Sequence, residues 1–292
     1  MTNFYKISIF TSFFGLWIIS MLNENIQIIL GFFLIFSFGI VHGANDLLIY
    51  QKIKGLKDLE KYKLLVYYFI SILITILFYT KYPTASIVLF VLVSAYHFGE
   101  QHWNKFTLDV KINKIFFLNY GVFIFYLLFY FHQSQVNDIV DNMTNNNSAS
   151  LYIVKTFYIS AITLILFFIY FGYKNLEFRK NIFIEIFNLI IFSVIFKLGN
   201  LILGFSIYFI FWHSIPSIIS QIEFIYGKYS HTNFKSYTKK ALLYWLISVI
   251  SIVAVYTLFK EIKFFESIFF IFLTGITFPH AWLMLNFLNK KS

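Results

Sequence analysis

The chain has 292 residues, 59% hydrophobic and 12% charged, and its apolar residues come in long runs rather than in the short amphipathic periods of a soluble domain. The net charge of +10 is dispersed over several short loops, so no basic domain is available to bind nucleic acid. The absence of cysteine excludes disulfides, thiolate metal sites and cysteine nucleophiles.

A bilayer core about 30 Å thick needs roughly 20 apolar residues per crossing helix. Taken in chain order, the sequence predicts an all-α polytopic bundle of about ten spans (eight to ten): 4–22, 26–48, 64–80, 84–103, 115–132, 151–173, 182–198, 200–222, 241–259 and 267–288. The first span has Lys6 ahead of an apolar stretch, as a signal peptide would, but "ISMLNEN" offers no small-residue cleavage site, so a retained helix is expected. Spans seven and eight are nearly continuous and divide near Gly199-Asn200. The Asn-rich stretch "QSQVNDIVDNMTNNNSAS" (133–150) reads as an outside loop of little structure. The basic, tyrosine-containing segment 223–240 reads as an inside loop at the membrane surface. No repeat of fixed period is present, and one membrane domain over 1–292 is expected.

Basic residues concentrate in cytoplasmic loops. With ten spans and both termini cytoplasmic, 18 of the 23 basic residues fall inside and 5 outside, the outside set being Lys81, Lys155, Lys197, Lys260 and Lys263. The split favours this orientation in a cell membrane, as a multi-pass protein of the bacterial inner membrane.

Of seven histidines, His42, His97, His213 and His280 fall in the inner halves of spans two, four, eight and ten. Counting to the next inside lysine gives 10 residues from His42, 8 from His97, 15 from His213 and 10 from His280. Three of them therefore lie at a common depth of roughly 12 to 15 Å at 1.5 Å per residue. Buried polar side chains are costly in a bilayer and mark functional sites, although each imidazole alone serves equally well as a hydrogen bond between helices. As a set they form a candidate metal site, because neutral imidazole is the commonest metal ligand and several together suit iron, copper, zinc or nickel. Asp46 follows His42 by four residues and Glu100 follows His97 by three. Each carboxylate shares a helix face with its histidine, which makes both candidates to accept an N–H from a metal-bound ring. Gly43 and Gly99 would permit close approach of helices or ligand. His102 is five residues from His97, about 140° round the helix, so the two do not share one ion easily; it is expected at the interface. His132 at the outer boundary and His231 in a loop are expected to be solvated. The 67 aromatic residues suit either a cavity for a long polyene or lipid-facing bulk.

Four stretches, "GIVHGANDLLIY" (39–50), "SAYHFGEQHW" (94–103), "FWHSIPSI" (211–218) and "FPHAWLML" (278–285), resemble the Brp/Blh family of membrane β-carotene 15,15′-dioxygenases. The resemblance runs from the second span to the last; "HGAND" and "YHFGE" are its specific motifs. It implies a single integral membrane catalytic domain that cleaves β-carotene with O2 into two retinal molecules. The implied cofactor is non-haem Fe(II) held by histidines, with retinal supplied to a microbial rhodopsin. His42, His97 and His213 match family histidines regarded as iron ligands. A further family histidine one turn after the third motif's first is replaced here by Ser217, behind Pro216, and the depth argument offers His280 as the fourth ligand and catalytic residue.

A transporter or proton-conducting protein with an intramembrane His/Asp/Glu relay is the principal alternative; it requires a polar path to the outer surface, where the even spans offer almost no ionisable residues. A haem-binding electron carrier would need axial histidines on facing helices. An opsin would need a lysine well inside a span, and di-iron desaturases need His-x-x-His-His boxes, which the sequence lacks.

Overall fold

A computed structural model describes residues 3–55, 60–104, 110–144, 149–258 and 262–291. The described residues form helices and no strands. In chain order these are α1 (Asn3–Met21), α2 (Glu24–Leu34), α3 (Ile40–Gly43), α4 (Asp46–Lys54), α5 (Glu60–Lys81), α6 (Pro83–Trp103) and α7 (Val110–Phe131). There follow α8 (Gln133–Thr144), α9 (Ala149–Lys174), α10 (Leu176–Leu198), α11 (Leu201–Tyr208), α12 (Ile215–Tyr226), α13 (His231–Leu258) and α14 (Ile262–Lys291). Two π-helical segments, Ile35–Gly39 and Phe209–Ser214, join α2 to α3 and α11 to α12.

Seven stretches among the described residues are long and apolar enough to cross a membrane, from Glu24–Lys54 to Phe269–Phe287, and two shorter apolar helices cover Lys6–Met21 and Leu65–Lys81. The protein is thus an all-α polytopic bundle. The predicted span 241–259 lies in α13, which is not among those seven. Lys57 and Lys105, two of the 18 basic residues expected inside, and Lys260 of the outside set lie outside the described residues.

The ends of these helices follow from local chemistry. The side chains of Asn23, Asn175 and Asn200 accept from Ile26 N, Phe178 N and Ile202 N, capping α2, α10 and α11. The break at Gly199-Asn200 therefore falls where the sequence divides spans seven and eight. Gly227, with φ of 84°, ends α12 in the left-handed conformation that glycine adopts cheaply.

Two loop expectations are corrected. Residues 133–144 form α8, because Val136, Ile139, Val140 and Met143 recur at helical spacing and bury Val136 and Met143 despite the Asn-rich composition; residues 145–148 lie outside the described residues. The interfacial loop 223–240 shrinks to 227–230, with α12 and α13 supplying the rest.

The chain divides into two compact units. The first comprises Met1–Ile35, Ala95–Val140 and Asn146–His213. Inside it, α6 and α7 meet backbone to backbone at two glycines. A Cβ on Gly99 would lie 1.9 Å from the Phe117 carbonyl oxygen, and one on Gly121 1.8 Å from that of Ala95. Between α7 and α9, Asn119 donates to the Ser160 carbonyl and accepts from Thr163 at 2.6 Å. Trp103, Phe116, Phe171 and Phe178 pack edge-on and stacked in the interior. Much of the aromatic content is therefore packed core, while side chains such as Phe183 and Tyr173 remain on the surface that lipid would cover.

The second unit comprises Phe36–Ser94, Asp141–Asn145 and Ser214–Ser292. Ile49 and Ile53 of α4 pack on Leu283, Met284 and Phe287 of α14. Ile218 and Ile222 of α12 pack on Tyr237 of α13. Trp245 Nε1 donates to the Phe36 carbonyl at 2.6 Å. Membrane hydrogen bonds of this kind contribute about 0.6 kcal/mol each, so close packing carries most of the stability.

Candidate metal centre

The π-helical Ile35–Gly39, part of the second unit from Phe36 onward, precedes the one-turn helix α3, which carries His42. The wider turn sets where that ring emerges. His42 Nδ1–H donates to the Gly39 carbonyl at 2.8 Å, so the neutral ring carries its lone pair on Nε2. The peptide carbonyl of His42 accepts from Gln221 Nε2 at 3.1 Å, and Gln221 Oε1 accepts from Tyr237 O–H at 2.6 Å. Asn45 Nδ2 donates to the Tyr237 carbonyl at 3.0 Å. The short turn that bears His42 is thereby tied to α12 and α13.

His280 sits on α14 one residue after Pro279, and its ring meets that of His42 edge to face at a centroid distance of 4.4 Å. His280 Nδ1 lies 2.9 Å from both Oδ1 and Oδ2 of Asp46. Helical spacing places Asp46 beside His42, but the carboxylate serves His280 instead. Asp46 opens a new helix after the turn at Ala44-Asn45, so the α-helical i, i+4 relation to His42 does not hold. Gly43 is not required for closeness here: a Cβ there would meet His280 Nδ1 at 3.6 Å, an ordinary contact.

In the first unit, His97 on α6 and His213 in the π-helical Phe209–Ser214 also meet edge to face, at 4.8 Å. The His213 ring lies against Phe98 at 4.1 Å and stacks on Phe209 at 5.6 Å. Gln101 Nε2 donates to the His213 carbonyl at 2.8 Å. Gly99 acts as anticipated, since α6 could not lie on Phe117 with any side chain there. Glu100 accepts from Tyr96 O–H at 3.2 Å.

The four rings are all buried, with relative exposures of 5% for His42, 2% for His97, 2% for His213 and 3% for His280. Four buried imidazoles are a donor set that could hold a metal ion. The donor set fits such an ion chemically. At two of the rings Nδ1 is engaged by an acceptor, which leaves Nε2 as the ligand atom, the arrangement common to metal-bound histidine.

The remaining histidines depart from expectation in part. His102 is not interfacial: its Nε2 is 2.9 Å from Glu185 Oε2, and Asn188 Nδ2 donates to the same oxygen at 3.1 Å. Its ring stacks on Tyr120 at 5.0 Å. The signal for this was an ionisable Glu185 within an apolar span. His132 is half-buried and donates from Nε2 to the Phe196 carbonyl at 2.7 Å, because α7 ends against α10. His231 is exposed, as expected. Gln101, Gln221 and Tyr68, which the sequence reading passed over, also touch the site or its supports. Only their polar character within apolar stretches pointed to them.

No curated protein and no solved structure matches the chain. The profile of the family described as Beta-carotene 15,15'-dioxygenase matches residues 33–288, a stretch that contains all four histidines. The chain belongs to the β-carotene 15,15′-dioxygenase family.

Proposed function

We propose that the protein cleaves β-carotene at its central 15,15′ double bond, consuming O2 and releasing two retinal molecules, with Fe(II) held by His42, His97, His213 and His280. The observation that carries this reading is four buried imidazoles in two edge-to-face pairs in a chain of this family. Bound Fe(II) supplies the one-electron chemistry by which triplet O2 reacts with a closed-shell alkene. Four neutral ligands leave the ion its full positive charge. Gly39 and Asp46 set the ring orientation of His42 and His280.

Phe98 and Phe209, packed on the His213 ring, keep its surroundings apolar. That favours hydrocarbon over water beside the ligands. β-Carotene has no polar handle, so its affinity comes from apolar burial at about 25 cal/mol per Å2, less what lipid already supplies. Shape must then place the central bond, with the substrate arriving sideways from the bilayer. The protein acts as a single catalytic domain in the cell membrane, in the bacterial inner membrane with both termini cytoplasmic, and its retinal supplies a microbial rhodopsin.

Expression in cells that accumulate β-carotene tests this directly. Loss of orange colour with retinal recovered by chromatography at two molecules per β-carotene is expected. Unchanged pigment, with membrane-inserted protein and iron present, would overturn the reading.

A further inference from the structure

We propose that Tyr68 is a positioning residue for the metal centre: its hydroxyl holds the Asp46 carboxylate that orients His280. The proposal rests on the metal site proposed above. Three helices of one unit meet in this chain of contacts, with Tyr68 on α5, Asp46 at the start of α4 and His280 on α14. Tyr68 O–H donates to Asp46 Oδ2 at 3.2 Å, and both Asp46 oxygens lie 2.9 Å from His280 Nδ1.

A carboxylate presents about four lone-pair sites, and the single N–H of one imidazole satisfies only part of them. Asp46 is 3% exposed, so a second donor matters to it more than it would at a surface. That donor comes from a different helix, which stops the carboxylate turning about its Cβ–Cγ bond. Rotation of an imidazole about χ2 is soft, so the direction of His280 Nε2 follows whatever grips Nδ1. Tyr68 thereby acts on the ligand atom through Asp46.

Asp46 and Tyr68 also line a cavity of about 280 Å3, together with Leu47, Ser71, Pro279 and Trp282. Most of that wall is apolar. A hydrocarbon chain filling the cavity offers Asp46 no donor, and the Tyr68 hydroxyl then meets the need that water would meet in a soluble protein. Tyr67 lines the same cavity but is largely exposed and makes no hydrogen bond to Asp46, which makes it the matched control.

The test uses full-length protein purified in detergent and titrated with Co(II), whose visible bands report ligand geometry, alongside thermal unfolding of the metal-free form. Tyr68→Phe should weaken Co(II) binding about tenfold and shift the bands, while Tyr67→Phe should match the parent. In the Asp46→Ala background, Tyr68→Phe should add nothing further. Co(II) binding by Tyr68→Phe within twofold of the parent, with unchanged bands, overturns the proposal even if the metal-free form melts earlier. So do independent, additive losses in the double variant. A parent that takes up no Co(II), or binds it equally well as His42→Ala, overturns the metal site itself rather than the role of Tyr68 alone.

Discussion

The His42–His280 and His97–His213 pairs meet with the same edge-to-face geometry, at 4.4 and 4.8 Å, in differently built surroundings. In the first pair each Nδ1 is gripped by an oxygen, from Gly39 or Asp46, so tautomer and ring direction are set by hydrogen bonds. In the second, Phe98 and Phe209 pack on His213, and α6 is seated by a backbone approach at Gly99 that admits no side chain. Polar braces orient a ring through angle-dependent bonds. Packing orients it by excluding every other position. The two should therefore fail differently when disturbed.

The largest effect should come from removing a ring. His42→Ala and His97→Ala are each expected to reduce retinal formation in β-carotene-accumulating cells to below about 1% of the parent, because a metal centre short of a ligand loses both its ion and its geometry. Membrane insertion, followed by immunoblot of the membrane fraction, should persist in both. Retinal formation by either variant near the parental level would dissolve the comparison.

Next in size is Gly99→Ala. The added Cβ cannot coexist with the Phe117 carbonyl at 1.9 Å, so α6 or α7 must shift, at about 3 kcal/mol. A lower unfolding temperature in detergent together with lost cleavage is the expected signature of a packed brace. Gly43→Ala, where the nearest contact is 3.6 Å, should leave the unfolding temperature almost unchanged.

Asp46→Asn probes the polar brace and should act more narrowly. Iron affinity is expected to fall about 10- to 100-fold, measured by chelator competition, with thermal stability of the metal-free protein nearly unaltered. A large stability loss with unchanged affinity would mean that Asp46 is packing and not orientation.

The smallest effect is expected at His132. His132→Ala leaves the Phe196 carbonyl without its 2.7 Å donor and should cost about 1 kcal/mol of stability. Retinal yield should remain within twofold of the parent.

Much of the site was legible because a bilayer makes polar residues conspicuous. His42, His97, His213 and His280 stood out as imidazoles in apolar runs, and similar counts of 8 to 10 residues to the next lysine put three of them at one depth. Gly99 was legible for the same reason, as a small residue beside a candidate ligand. The partner of Asp46 was not. Spacing assigns it to His42 on the assumption of an unbroken α-helix, and the turn at Ala44-Asn45 breaks that helix. The π-helical turns before His42 and around His213 were hidden for a related reason, since one extra residue per turn leaves no mark on composition. The helix at 133–144 leaves little signal because its four apolar residues are diluted by Gln, Asn, Asp, Ser and Thr.

What the sequence by itself determined is membrane residence, helical class and which side chains are chemically capable of holding a metal, because these depend on transfer free energies and residue chemistry alone. Only the tertiary structure decided which donors face which rings. His280 is 234 residues from Asp46, and His102 is 83 from Glu185. Pairings at such separations arise from the packing of whole helices and are carried by no local pattern.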